Sequence, residues 1–141
     1  MNKKTDLRIG NLAGIKETAL HADGCNHSEA VFEIEEIKKD VVQFKGYHAN
    51  EYYKDLNPIP LTEQWLLELG FNQNIETQWY IHFDNMCLTL HGYSEQYIVE
   101  IENMETDDSS IFLMSVQYVH QLQNLYFALT QNELISKERA L

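Results

Sequence analysis

The sequence predicts an α+β fold in which an antiparallel sheet, made of a hairpin and a meander, is packed by one short and one long helix. Three observations lead to this prediction. Residues 31–45 have the pattern of strand, turn and strand, residues 77–101 contain three short apolar segments, and helix signals occur in two places. Strands that follow one another without an intervening helix are typical of an antiparallel sheet rather than of βαβ winding.

The first third of the chain contains the clearest hairpin. Residues 7–13 alternate with a break at Gly10, which predicts a short first strand with a turn or bulge. Residues 18–29 contain Asp23-Gly24 and small polar residues and indicate a loop. In residues 31–45, β-branched and aromatic residues fill two arms around a central Lys-Lys-Asp, a connection of hairpin length.

A short helix is predicted over residues 62–69. Thr62 is a good N-cap, Glu63 lies in the first turn where the helix dipole favours an acid, and Gly70 is a natural end. The preceding residues 46–60 contain two prolines, and we expect them to be irregular.

The meander is predicted from residues 79–83, 86–90 and 97–101. These are short apolar segments separated by tight turns, and an acidic loop over residues 102–110 follows them. We expect the three segments to pair in order as antiparallel strands.

The long helix is predicted over residues 115–130, with Ser115 as its cap. Its apolar stripe has helical spacing and consists of Tyr118, Leu122, Leu125, Tyr126 and Leu129. The other side carries uncharged amides, namely Gln117, Gln121, Gln123, Asn124 and Gln131. We expect these amides to face water, with a polar contact to another chain or element as the alternative. A final strand is possible over residues 133–135.

Length predicts one α+β domain over residues 1–141. A possible subdivision separates a small β unit, residues 1–54, from an acidic unit of meander and long helix, residues 55–141. No run of about 18 apolar residues occurs, so we expect no membrane span. The polar first residues do not resemble a secretory signal, and we expect a cytoplasmic protein.

Negative charge is concentrated in the second half of the chain. The net charge of the 141 residues is −12, and residues 55–136 contain twelve acids and neither Lys nor Arg. Such a segment repels phosphates, so direct binding of nucleic acid through it is not expected. The charge either keeps the protein soluble or attracts a basic partner. The candidate contact residues for a basic partner are Glu95, Glu100, Glu102, Glu105, Asp107 and Asp108.

Residues 21–27 hold the one cluster with metal-ligand types. His21, Asp23, Cys25 and His27 each have a side chain that can bind a transition metal. A structural zinc site normally needs four ligands, often as two separated pairs, and the chain has no second pair. We therefore interpret residues 21–27 as a loop, and we expect neither a metal nor a cofactor.

Catalysis is not indicated by the isolated histidines. His82, His91 and His120 are candidate general bases, but no Ser, Cys or Asp partner is placed beside any of them by spacing. Cys25 and Cys87 are far apart, form no CxxC, and are expected to be free thiols, with Cys87 in the core. We therefore predict that the protein is not an enzyme.

Two stretches carry a resemblance to a known group of proteins. They are Pro58-Ile59-Pro60-Leu61-Thr62-Glu63-Gln64-Trp65-Leu66-Leu67-Glu68-Leu69-Gly70-Phe71 and Tyr118-Val119-His120-Gln121-Leu122-Gln123-Asn124-Leu125-Tyr126-Phe127-Ala128-Leu129-Thr130. With Arg8-Ile9-Gly10-Asn11-Leu12, they resemble small uncharacterised proteins encoded by prophages and mobile elements of Bacteroidota. The chain departs from the usual Thr-Gly after the long helix, because Gln131 follows Thr130.

The resemblance implies a phage or mobile-element product that acts in a bacterial cytoplasm. Together with the charge, it favours a non-enzymatic protein that binds a basic host protein, such as a defence effector or a nucleic-acid-binding protein, by mimicking nucleic acid. Two alternatives remain at this stage. One is a structural or assembly component of a phage particle or replication complex, and the other is a small metal-dependent enzyme using His21, Cys25 and His27.

Overall fold

The computed structural model of the chain describes residues 7–15, 31–47, 50–106 and 110–136. Ten strands and two α-helices occur in these residues. The strands are β1 (Leu12–Ile15), β2 (Phe32–Ile37), β3 (Val41–Phe44), β4 (Asn50–Tyr52), β5 (Leu56–Asn57), β6 (Asn72–Ile75), β7 (Gln78–Phe83), β8 (Met86–Tyr93), β9 (Gln96–Asn103) and β10 (Ile111–Val116). The helices are α1 (Glu63–Glu68) and α2 (Val119–Thr130).

The predicted α+β fold with antiparallel pairing and one short and one long helix is confirmed, but the strands form two sheets rather than one. The first sheet has the order β4-β3-β2-β1-β5, and the second has the order β10-β9-β8-β7-β6. The chain forms two compact units. One consists of Met1–Ile59 with Tyr118–Leu125, and the other of Pro60–Gln117 with Tyr126–Leu141.

The first unit is built on the predicted hairpin. β2 pairs with β3, with a bulge between Ile34 and Glu36. On β3 the more buried and less buried side chains alternate, as expected for a half-buried sheet, whereas at the bulge of β2 both Glu35 and Glu36 are exposed. The buried core consists of Leu7, Ala13, Ile15, Ile34, Val42, Phe44 and Leu56.

The first strand and the segment after the hairpin differ from the sequence expectations. The turn at Ile9 and Gly10 is present, but the strand begins after it, at Leu12, rather than at residue 7. Residues 46–60 were expected to be irregular, and this is wrong in part. They contain β4, a 3₁₀ turn over Tyr53–Asp55 and β5, which pairs with β1.

The second unit is built on the predicted meander, which is confirmed. β7 and β8 are joined through Asp84-Asn85, and β8 and β9 through Ser94-Glu95, so β8 is longer than the predicted segment. One face of the sheet holds the buried side chains Trp79, Leu88, Leu90 and Val99. On the same face the ring of Phe83 meets that of Tyr126 from α2, with centroids 6.0 Å apart.

The predicted start is confirmed for the short helix, α1, and is wrong for the long helix, α2. For α1 the predicted cap is confirmed, because the hydroxyl of Thr62 accepts a hydrogen bond from the N–H of Trp65 at 3.3 Å. The predicted start of the long helix at Ser115 is wrong, since residues 111–116 form β10 and α2 begins at Val119. β10 pairs with β9, which satisfies the backbone of this apolar segment before the helix starts.

Two further differences concern β6 and residues 133–135. β6 was not predicted, and its four residues are all exposed, so it exists through its pairing with β7. The predicted strand at residues 133–135 is wrong, because these residues form no regular element. The predicted loop over residues 18–29 lies outside the described residues. No helix of the described ranges has the length and apolar composition needed to cross a membrane.

Candidate functional site

Carboxylates of the second unit lie on its surface. The described acidic residues between positions 60 and 117 are all exposed or half-buried, and the sequence supplies neither Lys nor Arg over that segment. A negative potential on this unit therefore follows from the sequence, and the fold decides where it is strongest. The predicted contact residues are distributed unevenly over the unit.

Strand β9 brings two of the predicted residues together. Glu100 and Glu102 are two positions apart, so their side chains point to the same side of the sheet, roughly 7 Å apart along the strand. Glu102 is exposed and Glu100 is half-buried. This side lies opposite the face that holds Leu88 and Leu90.

Glu105 belongs to the same end of the sheet, and Glu95 does not. The N–H of Met104 donates to the carbonyl of Asn85 at 2.8 Å, which places Glu105 beside the turn that carries the exposed Asp84. Glu95 lies in the turn before β9, about 23 Å from Glu102 along an extended strand. Asp107 and Asp108 are outside the described residues.

We call the side of the sheet that carries Glu100 and Glu102 the polar face. Its remaining members follow from the register of β7, β8 and β9, and they are Gln78, Tyr80, His82, Cys87, Thr89, His91 and Ile98. A groove of about 270 Å³ lies on this face, and Asn74 of β6 also lines it. The polar face therefore offers a recess that is lined by one carboxylate, that of Glu102.

Glu100 is held in place by two contacts. Its Oε2 lies 3.3 Å from Nε2 of His91, which is an ion pair when the imidazole is protonated. The hydroxyl of Ser110 donates to the same oxygen at 3.1 Å. Glu100 is thus oriented within the face, whereas the exposed Glu102 projects from it.

One row of the polar face contains residue types that often occur in catalytic sites. Cys87 is paired with His82 on β7 and with Glu102 on β9, so a thiol lies between an imidazole and a carboxylate. Cys87 is a free cysteine and is 9% exposed. Its burial was predicted, but it lies on the polar face and not among the buried apolar side chains of the other face.

The contacts of this row do not form a nucleophile and base pair. Nδ1 of His82 lies 2.9 Å from the sulfur of Met104, and the thiol of Cys87 lies 3.7 Å from the hydroxyl of Thr89. Activation of a thiol needs a base in hydrogen-bond contact with the sulfur. The side chains of His82 and Cys87 therefore contribute packing and hydrogen-bond contacts to the polar face.

Metal ligands are not assembled in the part of the chain that the structure describes. None of its His, Cys, Asp and Glu side chains form a group of three or more that is placed to hold an ion. The predicted ligands His21, Asp23, Cys25 and His27 lie outside the described residues.

The polar face could have been found in the sequence from its turns. A two-residue turn at Asp84-Asn85 fixes the pairing of His82 with Cys87. A second two-residue turn at Ser94-Glu95 fixes the pairing of Cys87 with Glu102. Within a single strand, alternation does not decide which side of the sheet His82 faces, so the pairing of all three strands is needed to place it on the polar face.

Comparison of the chain with protein-family models, with curated proteins and with solved structures finds no match.

Proposed function

We propose that the protein is a non-enzymatic binding protein that attaches to a basic host protein through the polar face. In this proposal it is a phage or mobile-element product acting in the bacterial cytoplasm, and it occupies a site that normally binds nucleic acid. The supporting observation is that Glu100 and Glu102 lie on the same side of the sheet, where Glu102 is exposed, with Glu105 and Asp84 at the same end of the sheet.

The charge distribution explains why such a face would prefer a cationic partner. Between positions 60 and 117 the sequence has no Lys or Arg that could neutralise the carboxylates from within the segment. An uncompensated negative surface accelerates encounter with a positive one and fixes the orientation of docking. Salt screens the attraction between the two charged surfaces over about 8 Å at physiological ionic strength.

A direct test measures binding of fluorescently labelled protamine, an arginine-rich polypeptide, at low and at physiological salt. The double variant Glu100→Gln/Glu102→Gln removes two charges from the polar face. Because exposed charge pairs contribute roughly 0.2–1 kcal/mol each, we expect the loss of two charges to weaken binding by about 2–30-fold at low salt. Duplex DNA is expected to compete with the protein for protamine.

The matched control is Glu33→Gln/Glu35→Gln on β2. These two carboxylates are likewise two positions apart on a strand, and both are exposed, but they belong to the first unit. The control is expected to change the affinity by less than twofold. Equal losses in both double variants would show that net charge, and not the polar face, determines binding. Affinity that does not depend on salt would contradict an electrostatic attachment.

A structural or assembly role is the second candidate, and the edge of the second sheet supports it. β10 is an edge strand, and Ile111 and Phe112 on it are 64% and 60% exposed. Residues 110–117 carry no charge, and uncharged apolar edge strands tend to pair with other chains. The mass in solution tests this role. We expect self-association that Phe112→Lys abolishes, whereas a monomer at all concentrations would exclude it.

A further inference from the structure

A cavity of about 370 Å³ lies at the end of the second sheet where β8 turns into β9, next to the start of α1. It is separate from the polar face, because its lining belongs to the opposite side of the sheet. Its principal lining residues are Leu61, Glu63, Trp79, Gly92, Glu95 and Tyr97.

The floor of this cavity is apolar and aromatic. Trp79 is 2% exposed and Leu61 is 6% exposed, so both present a fixed apolar surface. Gly92 is paired with Tyr97 across the strands, and a Cβ at Gly92 would lie 3.6 Å from the Tyr97 ring. The tyrosine ring therefore lies beside Gly92, at ordinary contact distance from the position that a Cβ would take.

The rim of the cavity is negative. Glu63 and Glu95 are both exposed, and they approach the cavity from different elements, α1 and the β8–β9 turn. Burial and the nearby carboxylate of Glu63 raise the pKa of Tyr97 above its usual value of 10.0. The negative field of Glu63 therefore acts on the aromatic ring that lines the cavity.

The lining restricts the kind of ligand. Two carboxylates disfavour a phosphate or any other anion, and the volume is near the lower limit of small-molecule pockets. An apolar floor beneath a negative rim suits an amphipathic cation, which buries its methylene stem and keeps its charged end at the surface. A planar guanidinium also stacks on aromatic rings and forms forked hydrogen bonds with carboxylates, which an ammonium does not.

We propose that this cavity receives an arginine side chain of a basic partner protein. The stem contacts Leu61 and Trp79, and the guanidinium lies against Tyr97 between the carboxylates of Glu63 and Glu95. This inference rests on the proposed function for the basic character of the partner, and it adds an anchoring contact on the side of the sheet opposite the polar face. Residues that fill a pocket in this way contribute a large share of the binding energy of an interface.

The test uses single blocked amino acids as probes of the full chain. N-acetyl-arginine amide, the lysine analogue and the uncharged citrulline analogue are titrated while the NMR signals of Trp79, Gly92 and Tyr97 are followed. We expect saturable shifts with arginine in the millimolar range, at least threefold weaker binding of lysine, and no saturation with citrulline. Equal effects of arginine and citrulline, or of arginine and lysine, would overturn the proposal.

Variants test whether the NMR shifts caused by arginine depend on the carboxylates at the rim of the cavity. Glu63→Gln and Glu95→Gln are each expected to weaken arginine binding by at least threefold, whereas Glu68→Gln, on the same helix as Glu63 but outside the cavity lining, is expected to leave it unchanged. The folded state of each variant is checked from its NMR spectrum. Unchanged arginine affinity in both rim variants would refute the assignment.

Failure of this inference and failure of the proposed function give different results. If protamine binding depends on Glu100 and Glu102 but arginine amide does not perturb the cavity, the polar-face proposal stands and the anchoring site is refuted. If arginine amide binds in the cavity but the affinity for protamine is unchanged in Glu100→Gln/Glu102→Gln, the anchoring site stands and the polar-face proposal is refuted.

Discussion

The side chain of Gln123 on α2 accepts a hydrogen bond from the backbone N–H of Leu12 at 2.9 Å. Its amide nitrogen donates to the carbonyl of Gly10 at 3.3 Å. Gln123 is 2% exposed, so both bonds form away from water. Through one amide group the first half of α2 is attached to the turn that precedes β1.

The neighbouring residue extends this attachment. Oδ1 of Asn124 accepts hydrogen bonds from Nδ2 of Asn11 at 2.8 Å and from Nε of Arg8 at 3.2 Å. Gln123 and Asn124 therefore make the polar contact with another element that was the alternative to exposure, whereas Gln117 and Gln131 are exposed, as expected. Residues 8–12, the short segment that accompanies the two stretches of the resemblance, are therefore in contact with the stretch on α2.

Gln123→Ala is expected to destabilise the fold by about 1–3 kcal/mol. The substitution leaves the buried N–H of Leu12 without its acceptor, and an unsatisfied buried donor costs about this amount. Urea unfolding measures the change. Gln64→Ala, at an exposed position of α1, is the matched control and is expected to change stability by less than about 0.5 kcal/mol. Equal effects of the two variants would contradict the role given to Gln123.

Gln131→Gly is expected to stabilise the protein. Gln131 follows α2 with φ of 60°, a left-handed conformation that costs a non-glycine residue roughly 1–2 kcal/mol. Its N–H donates to the carbonyl of Phe127 at 2.7 Å, which closes the helix end. Part of the gain is offset by the larger entropy of glycine in the unfolded chain, so we expect about 0.5–1 kcal/mol.

Thermal unfolding measures the effect of this substitution. A gain of this size corresponds to a rise in Tm of roughly 2–4 °C. Gln131→Ala is the control, because alanine keeps a Cβ and therefore keeps the backbone strain. A rise in Tm in the alanine variant equal to that of the glycine variant would rule out the conformational explanation.

Alkaline pH is expected to destabilise the second unit in part through Tyr97. Burial, and secondarily Glu63, raise the pKa of Tyr97 above 10.0. The unfolded chain therefore loses the phenolic proton at a lower pH than the native protein. The resulting contribution to stability is complete below pH 10 and is lost as pH rises through the folded pKa.

Glu63→Gln tests the electrostatic part of this shift. Removing the carboxylate is expected to lower the pKa of Tyr97 toward 10.0 without reaching it, because burial is the larger cause. The Tyr97 ring signals, followed by NMR through the alkaline range, report the pKa. Glu68→Gln on the same helix is the control, and a pKa that rises or is unchanged in Glu63→Gln would contradict the assigned cause.

Thr62→Ala is expected to cost about 0.5–1 kcal/mol of stability. Thr62 caps α1 by accepting from the N–H of Trp65, and loss of a cap typically costs about 1 kcal/mol. The 3.3 Å length of this bond places the expected loss at the lower end. Thr62→Ser keeps the hydroxyl and should retain most of the stability in chemical denaturation. Comparable losses in both variants would assign the effect to the methyl group instead.

Local signals predicted the elements that are stabilised locally. The hairpin of β2 and β3 was predicted because its residues favour extended backbone and a short connection closes it. The helix α1 was predicted from its cap and from Gly70, which has φ of 93° in the structure. These features depend on residues within about five positions of one another.

Elements that depend on distant partners were predicted incorrectly. Residues 111–116 form an apolar segment that suits a strand or a helix, and the choice is made by pairing with β9. β6 has no apolar pattern and is ordered by its pairing with β7. On α2, Leu129 belongs to the predicted apolar stripe but is 36% exposed, while His120 and Gln123 are buried.

By itself the sequence determined the sign and the location of the charge, because no Lys or Arg occurs between residues 55 and 136. It also determined the order and the antiparallel pairing of the meander strands, whereas the Ser94-Glu95 turn that fixes the register of β8 and β9 was found only in the structure. The tertiary structure alone decided that the strands form two sheets and that Glu95 lies apart from Glu102. It alone placed the Glu63 carboxylate at a cavity lined by Trp79 and Tyr97. The physical reason is that these arrangements join residues far apart in the chain, whose proximity depends on packing that local preferences do not encode.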